Sequence, residues 1–189
     1  HVARRLTYTL VNKILAGEEP FVADNEDIRP MLGTLRRLRE ALRAKRHRRG
    51  AIDFELPEIK VKLDAEGHPI ALIKRMGSIG ESIIEECMLI ANETVARHME
   101  LKEEPFVYRV HEQPNSEKIE RFQSLLTALG LRLHVDENGK VSSRDIQSVL
   151  DKVKGKPEER IIGAVALRSM QQARYSTQSL GHFGLAARY

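Results

Sequence analysis

The sequence predicts an α+β fold, with several helices packed around an antiparallel β meander. Apolar residues recur at helical spacing along most of the chain, whereas between Ile52 and Leu72 they alternate with charged ones. Hydrophobic residues make up 41% and charged residues 31% of 189 positions, as in a globular protein with room for one main core.

The first helix is expected over Arg5 to Ala16, with Leu6, Leu10, Val11, Ile14 and Leu15 on its apolar face and Gly17 as its stop. After the loop "EEPFVADNEDI", a second helix carries Met31, Leu35, Leu38 and Leu42 on one stripe. Continuing that stripe leads to Lys45, Arg46 and Arg49, so the buried face is expected to stop near Leu42. The meander then uses Ile52, Phe54 and Leu56, next Ile59, Val61 and Leu63, and after the turn "DAEGH" Ile70 and Leu72. "SIGE" is a capping box, Ser78 with Glu81, opening a helix to about Leu101. "PFVYRVHEQP" reads as a short strand, and "NSEKIERFQSLLTALG" as a helix with Ile119, Phe122, Leu126 and Leu129 inward and Gly130 as its stop. Another helix begins near Ser143 with Ile146, Val149, Leu150 and Val153. A last one follows Pro157 in "KPEERIIGAVALRSMQQARY", and the tail "STQSLGHFGLAARY" reads as loop.

Charge is unevenly distributed. "LRRLREALRAKRHRRG" (35–50) holds eight Lys or Arg against Glu40, a local +7; the remaining 23 basic and 26 acidic residues give −3. Such a basic field on a mildly acidic body suits a polyanion, with Lys45, Arg46, Arg48 and Arg49 as candidate phosphate contacts. The single cysteine, Cys87, excludes an internal disulfide, a zinc cluster and a Cys-x-x-Cys redox pair. No window approaches the roughly 18 apolar residues of a membrane span, and "HVARRLTYTLVNKIL" has no signal core, so a cytoplasmic protein without membrane contact is expected.

The helix "GESIIEECMLIANETVARH" places Glu85 and Glu86 in its middle. At about 100° per residue, Ile84, Cys87, Met88, Ala91 and Val95 form the expected core face. Glu86, Glu93 and Arg97 lie opposite, and Glu85 falls on a shoulder beside Asn92. A carboxylate at such a margin either pairs with a nearby Arg or Lys or accepts hydrogen bonds from a ligand's hydroxyls, and spacing leaves both open. Phe54 reads as an inward strand residue, Tyr8 as a helix boundary residue, and His111, His182 and Phe183 as packing residues.

"RRLTYTLVNKIL" (4–15), "RRGAIDFELPE" (48–58), "SIIEECMLIANETVARH" (82–98), "YRVHEQP" and "LRSMQQARYSTQSLGHFGLA" (167–186) occur in one order. In these stretches the chain resembles the ribonuclease R and ribonuclease II family, specifically its catalytic RNB domain, with a bias towards bacterial ribonuclease R. The resemblance covers essentially all of 1–189 and implies a partial RNB domain. It further implies Mg²⁺-dependent, processive 3′-to-5′ hydrolysis of single-stranded RNA to nucleoside 5′-monophosphates, in RNA turnover. Phe54 would be one of two aromatic plates clamping the terminal base, while Tyr8 and Glu85 would hydrogen-bond the 3′-terminal ribose. The ribosome or other RNA–protein complexes stay open as further partners.

The family's aspartate-rich metal motif is expected upstream, and its phosphate-gripping arginine segment and OB-fold domains outside this chain. Asp24 and Asp27 lie in a loop without the motif, so no metal ligand is assigned and the isolated chain is expected to be inactive. The alternative is a non-catalytic RNA-binding module built on an RNB framework, gripping RNA through the 35–50 helix.

Overall fold

The computed structural model describes residues 4–54, 58–75 and 77–189. Among the described residues, six α-helices and four short strands make a mixed α+β fold. The chain divides into two compact units, His1–Ala44 with Pro57–Ala91 and Lys45–Leu56 with Asn92–Tyr189.

In the first unit, α1 (Tyr8–Ala16) begins three residues later than the apolar spacing suggests, because Thr7 caps it: its Oγ1 accepts the Leu10 N–H at 3.2 Å. Gly17, at φ 80°, ends it in the left-handed conformation that glycine adopts without Cβ strain. Val11 and Ile14 pack on Leu32 of α2 (Arg29–Arg49), joined by Leu6, Leu10, Phe21 and Leu35. The capping box opening α3 (Ile79–Leu101) is present: Glu81 accepts the Ser78 N–H at 3.0 Å, and Ser78 Oγ accepts the Glu81 N–H at 3.4 Å. Gly80 lies against α1. Its N–H donates to Asn12 Oδ1 at 2.9 Å, and a Cβ there would sit 3.1 Å from that oxygen, so this close approach favours glycine.

Among the described residues, two strands of the expected meander form a hairpin. Strand β1 (Glu58–Leu63) pairs antiparallel with β2 (Pro69–Arg75), Val61 opposite Leu72, and Asp64 Oδ1 accepts the Glu66 and His68 N–H groups in the turn. No strand forms over the described residues 51–54, because the Ile52 and Asp53 N–H groups bond outside any sheet, to the Gly184 carbonyl at 2.7 Å and to Gln147 Oε1 at 2.8 Å. Leu56 lies outside the described residues.

The second unit holds the larger core. Helices α4 (Ser116–Ala128), α5 (Ser143–Val153) and α6 (Glu159–Ser169) bury Phe122, Leu126, Ile146, Val149, Val153, Ile162 and Ala166. Asn115 caps α4, and Ser142 with Asp145 forms a second capping box on α5. Leu129, expected inward, is 45% exposed, because α4 has ended at Ala128. Helix α6 stops at Ser169 instead of continuing through "MQQARY", since Arg174–Ser176 forms β4 and pairs antiparallel with β3 (Tyr108–Val110). The tail expected as loop is partly organised: His182 bridges to His111 and to Ala187, and Phe183–Leu185 forms a 3-10 turn. Among the described residues no helix is long and apolar enough to cross a membrane.

Candidate functional site

In the first unit, Tyr8 is the first residue of α1 and 47% exposed, and Glu85 stands exposed on α3. The expected orientation of α3 is reversed. Ile84, Met88 and Val95 are 44%, 57% and 49% exposed, whereas Glu86 is only 3% exposed and has partners in the fold. The cause lies in what faces the helix. Ser82, Glu86 and Glu93 share one stripe of α3. Ser82 Oγ accepts from Arg39 of α2 at 2.8 Å, and Glu93 accepts two bonds from Arg49 at 2.5 and 2.7 Å. Against an arginine-rich neighbour, a stripe of hydroxyl and carboxylate groups is the complementary inward face.

The same pairing decides the four basic candidates on α2. Arg46 is 9% exposed and donates to Asp53 at 2.5 Å; Arg49 also donates twice to the Leu185 carbonyl, at 3.0 and 3.2 Å. The helix's inward stripe therefore continues past Leu42 with guanidinium groups in place of leucines, and the charge there does not mark a free surface. Lys45 and Arg48 are the two candidates that are exposed.

Phe54 belongs to the second unit, where its ring is half-buried against the larger core. Three groups hold the residues just before it. The Gly184 carbonyl takes the Ile52 N–H, Gln147 Oε1 takes the Asp53 N–H, and the Asp53 carboxylate accepts from Arg46.

The segment that supplies Gly184 is itself braced by imidazoles. His111 Nδ1 accepts the Gly184 N–H at 3.1 Å, and His182 Nδ1 accepts the Leu185 N–H at 3.2 Å. The two rings meet edge-to-face at 5.0 Å, and Phe183 packs on His111 at 6.0 Å, the packing role expected for all three. Burial first, then His111 and Arg109 nearby, push His182 down to about 4, against smaller opposing effects of its own backbone and of Glu93. Burial likewise lowers His111, Arg109 adding to the effect and the Gln171 backbone opposing it. Both rings are neutral at pH 7, and each carries its proton on Nε2 because Nδ1 is an acceptor.

Sequence reasoning missed Gln147, Asp53, Glu93 and Arg49 as structural partners of these segments. One signal was available: Gln147 directly follows Ile146 on the helix that also carries Val149, Leu150 and Val153. Among the described residues no group of three or more His, Cys, Asp or Glu side chains converges to hold a metal ion.

A family model described as the RNB domain matches residues 1–189. The chain is 42% identical over 183 residues to "Ribonuclease R 1" of Lactococcus lactis, covering 97% of this chain and 22% of that protein. It thus spans about a fifth of that relative's length. Among solved structures it is similar to Mycoplasma genitalium RNase R in complex with ribose-methylated single-stranded RNA, with a TM-score of 0.84 and 27% identity over 97% of this chain and 28% of that one. The same enzyme in complex with double-stranded RNA matches with a TM-score of 0.83, at 27% identity, over 97% of this chain and 32% of that one.

Proposed function

The chain belongs to the RNB domain family, and we propose that the polypeptide carrying it is a processive 3′-to-5′ exoribonuclease that hydrolyses single-stranded RNA to nucleoside 5′-monophosphates. The observation that carries this reading is the match of the whole chain, in sequence and in fold, to ribonuclease R solved with RNA. In the proposal Phe54 stacks on the 3′-terminal base, a sequence-tolerant grip because every base has a π-face. Tyr8 and Glu85 hydrogen-bond the terminal ribose, the carboxylate accepting from its hydroxyls, so that the 2′-hydroxyl selects RNA over DNA. The exposure of Tyr8 and Glu85 is compatible with that role, since neither is consumed by the core. Lys45 and Arg48 are the proposed phosphate contacts. Mg²⁺ would orient and activate the attacking water, and the described residues of this chain offer no ligand cluster for it.

The test is direct. The full polypeptide is incubated with single-stranded RNA labelled at its 5′ end, with Mg²⁺ or with a chelator, and the products are resolved by length. Metal-dependent shortening from the 3′ end to a short limit product is expected. Intact RNA that nevertheless shifts in a binding gel would replace the nuclease reading with an RNA-recognition module.

Glu85→Ala separates ligand binding from folding. A hydrogen bond to a charged group is worth about 1.5–3 kcal/mol, so preference for RNA over the matching DNA is expected to fall roughly tenfold or more. Because Glu85 is exposed, unfolding free energy should move by less than about 0.5 kcal/mol. A collapse of stability with unchanged RNA preference would make Glu85 a structural residue.

A further inference from the structure

We propose that Gln147 is a positioning residue for Phe54, acting through the peptide group of Asp53; the proposal rests on the reading of Phe54 as the base-stacking ring. Helix α5 buries Ile146, Val149 and Val153, and amid that apolar face Gln147 is only 6% exposed. A buried primary amide must find partners. Gln147 finds one on each end: Oε1 accepts the Asp53 N–H at 2.8 Å, and Nε2 donates to Asp151 Oδ1 at 2.8 Å. The carboxylate fixes which end is which, since Asp151 can only accept and the peptide N–H can only donate. Asp151 is tied down in turn by His47, 3.2 Å from its other oxygen.

The consequence falls on the next residue. In a sheet, the ladder would hold the backbone before Phe54, but residues 51–54 have no strand partner. Two successive N–H groups are pinned instead, that of Ile52 by the Gly184 carbonyl and that of Asp53 by the Gln147 side chain. These two bonds orient the peptide planes that lead into Phe54, and so the direction of its Cα–Cβ bond. Of these two N–H bonds, that of Asp53 goes to a side chain, so Gln147 is a point at which ring placement can be altered without changing the ring or the backbone.

The experiment uses the full polypeptide with chelator present, so that RNA binds without being consumed. The probe is a 5′-fluorescein oligoadenylate with its 3′-terminal base either present or removed, and the readout is the ratio of the two Kd values. Phe54→Ala is expected to reduce that ratio by about tenfold, the scale of one base–aromatic stack. Gln147→Met, which keeps the side chain's length and apolar packing, is expected to reduce it by about fivefold and to add nothing in the Phe54→Ala background. Gln147→Glu combined with Asp151→Asn keeps an acceptor for the Asp53 N–H and supplies a donor to the new carboxylate, and the pair is expected to preserve most of the ratio. If Gln147→Met does not fold, Gln147→Asn, which retracts the amide from the Asp53 N–H, is measured against the same expectations. An unchanged ratio in the folded Met or Asn variant would overturn the proposal, as would an equal loss with and without the terminal base that adds to that of Phe54→Ala. An unchanged ratio in Phe54→Ala itself would instead refute the stacking reading.

Discussion

Phe122→Ala is expected to lower the unfolding free energy by about 3–5 kcal/mol, the usual cost of emptying a phenyl-sized space in a packed core. Phe122 is 0% exposed and heads the fully buried side chains by volume. It belongs to one contiguous cluster with Leu126, Ile146, Val149, Ile162 and Ala166, drawn from α4, α5 and α6. The cluster draws on three helices, each also held by its other contacts, so most of the cavity should persist. Native stabilities are about 5–15 kcal/mol, which makes this a large fraction of the total. Urea titration should show the midpoint falling with little change in slope. A loss below about 1.5 kcal/mol would mean that the core collapses freely around position 122. The effect should also reach function, because Ile52 and Phe183 belong to the same cluster and Phe54 packs against it.

Helices with one apolar stripe and recognisable ends were legible in the sequence. The Ser78–Glu81 capping box, the Gly17 stop and the inward faces of α4 and α5 follow from local chemistry that neighbours do not alter. The faces of α2 and α3 were not legible by the same rule. An apolar arc predicts the buried side only when the neighbour is apolar, and here α2 presents Arg39 and Arg49 where leucines would ordinarily stand. The stripe of α3 that meets them carries Ser82 and Glu93, while Ile84 and Met88 remain exposed. Glu86, taken as ordinary solvent charge, is the buried carboxylate, and Glu85 is the accessible one. That no strand forms over the described residues 51–54 has a similar origin. Alternation at Ile52 and Phe54 is real, but a strand needs a partner ladder, and the groups that take its N–H bonds, Gly184 and Gln147, lie more than 90 residues further along the chain. Residues Phe54, Tyr8 and Glu85 were nameable from motif resemblance. Their supports were not, because a support is defined by distance in space.

Acidification is expected to loosen the "GHFGL" turn before it unfolds the helices. His111 and His182 each offer a neutral Nδ1 to a backbone N–H of that turn, and protonation would set an N–H against an N–H. The charged and titratable groups around the pair are Arg109, which disfavours a further positive charge, and Glu93, which favours it and is already engaged by Arg49. The folded-state value of His182, about 4, lies below the ordinary histidine value of 6.5, so the unfolded chain binds the proton more readily. Stability from this source is therefore fully present above pH 6.5 and is lost progressively as pH falls towards about 4. The full shift would be worth about 3 kcal/mol by linkage, and partial solvent exposure of the ring reduces this to about 1–2 kcal/mol. Urea midpoints between pH 7.5 and 5 should fall for the parent protein and fall less steeply for His182→Asn, whose side-chain oxygen can cap the turn without titrating over that range, the remaining slope coming from His111. A variant that keeps the parent's pH slope would show that His182 is not the titrating group. Because the Gly184 carbonyl also holds the Ile52 N–H, the proposed stacking role of Phe54 predicts that the same acid window weakens the base-dependent part of RNA binding, linking the histidine pair to Phe54 through one backbone hydrogen bond.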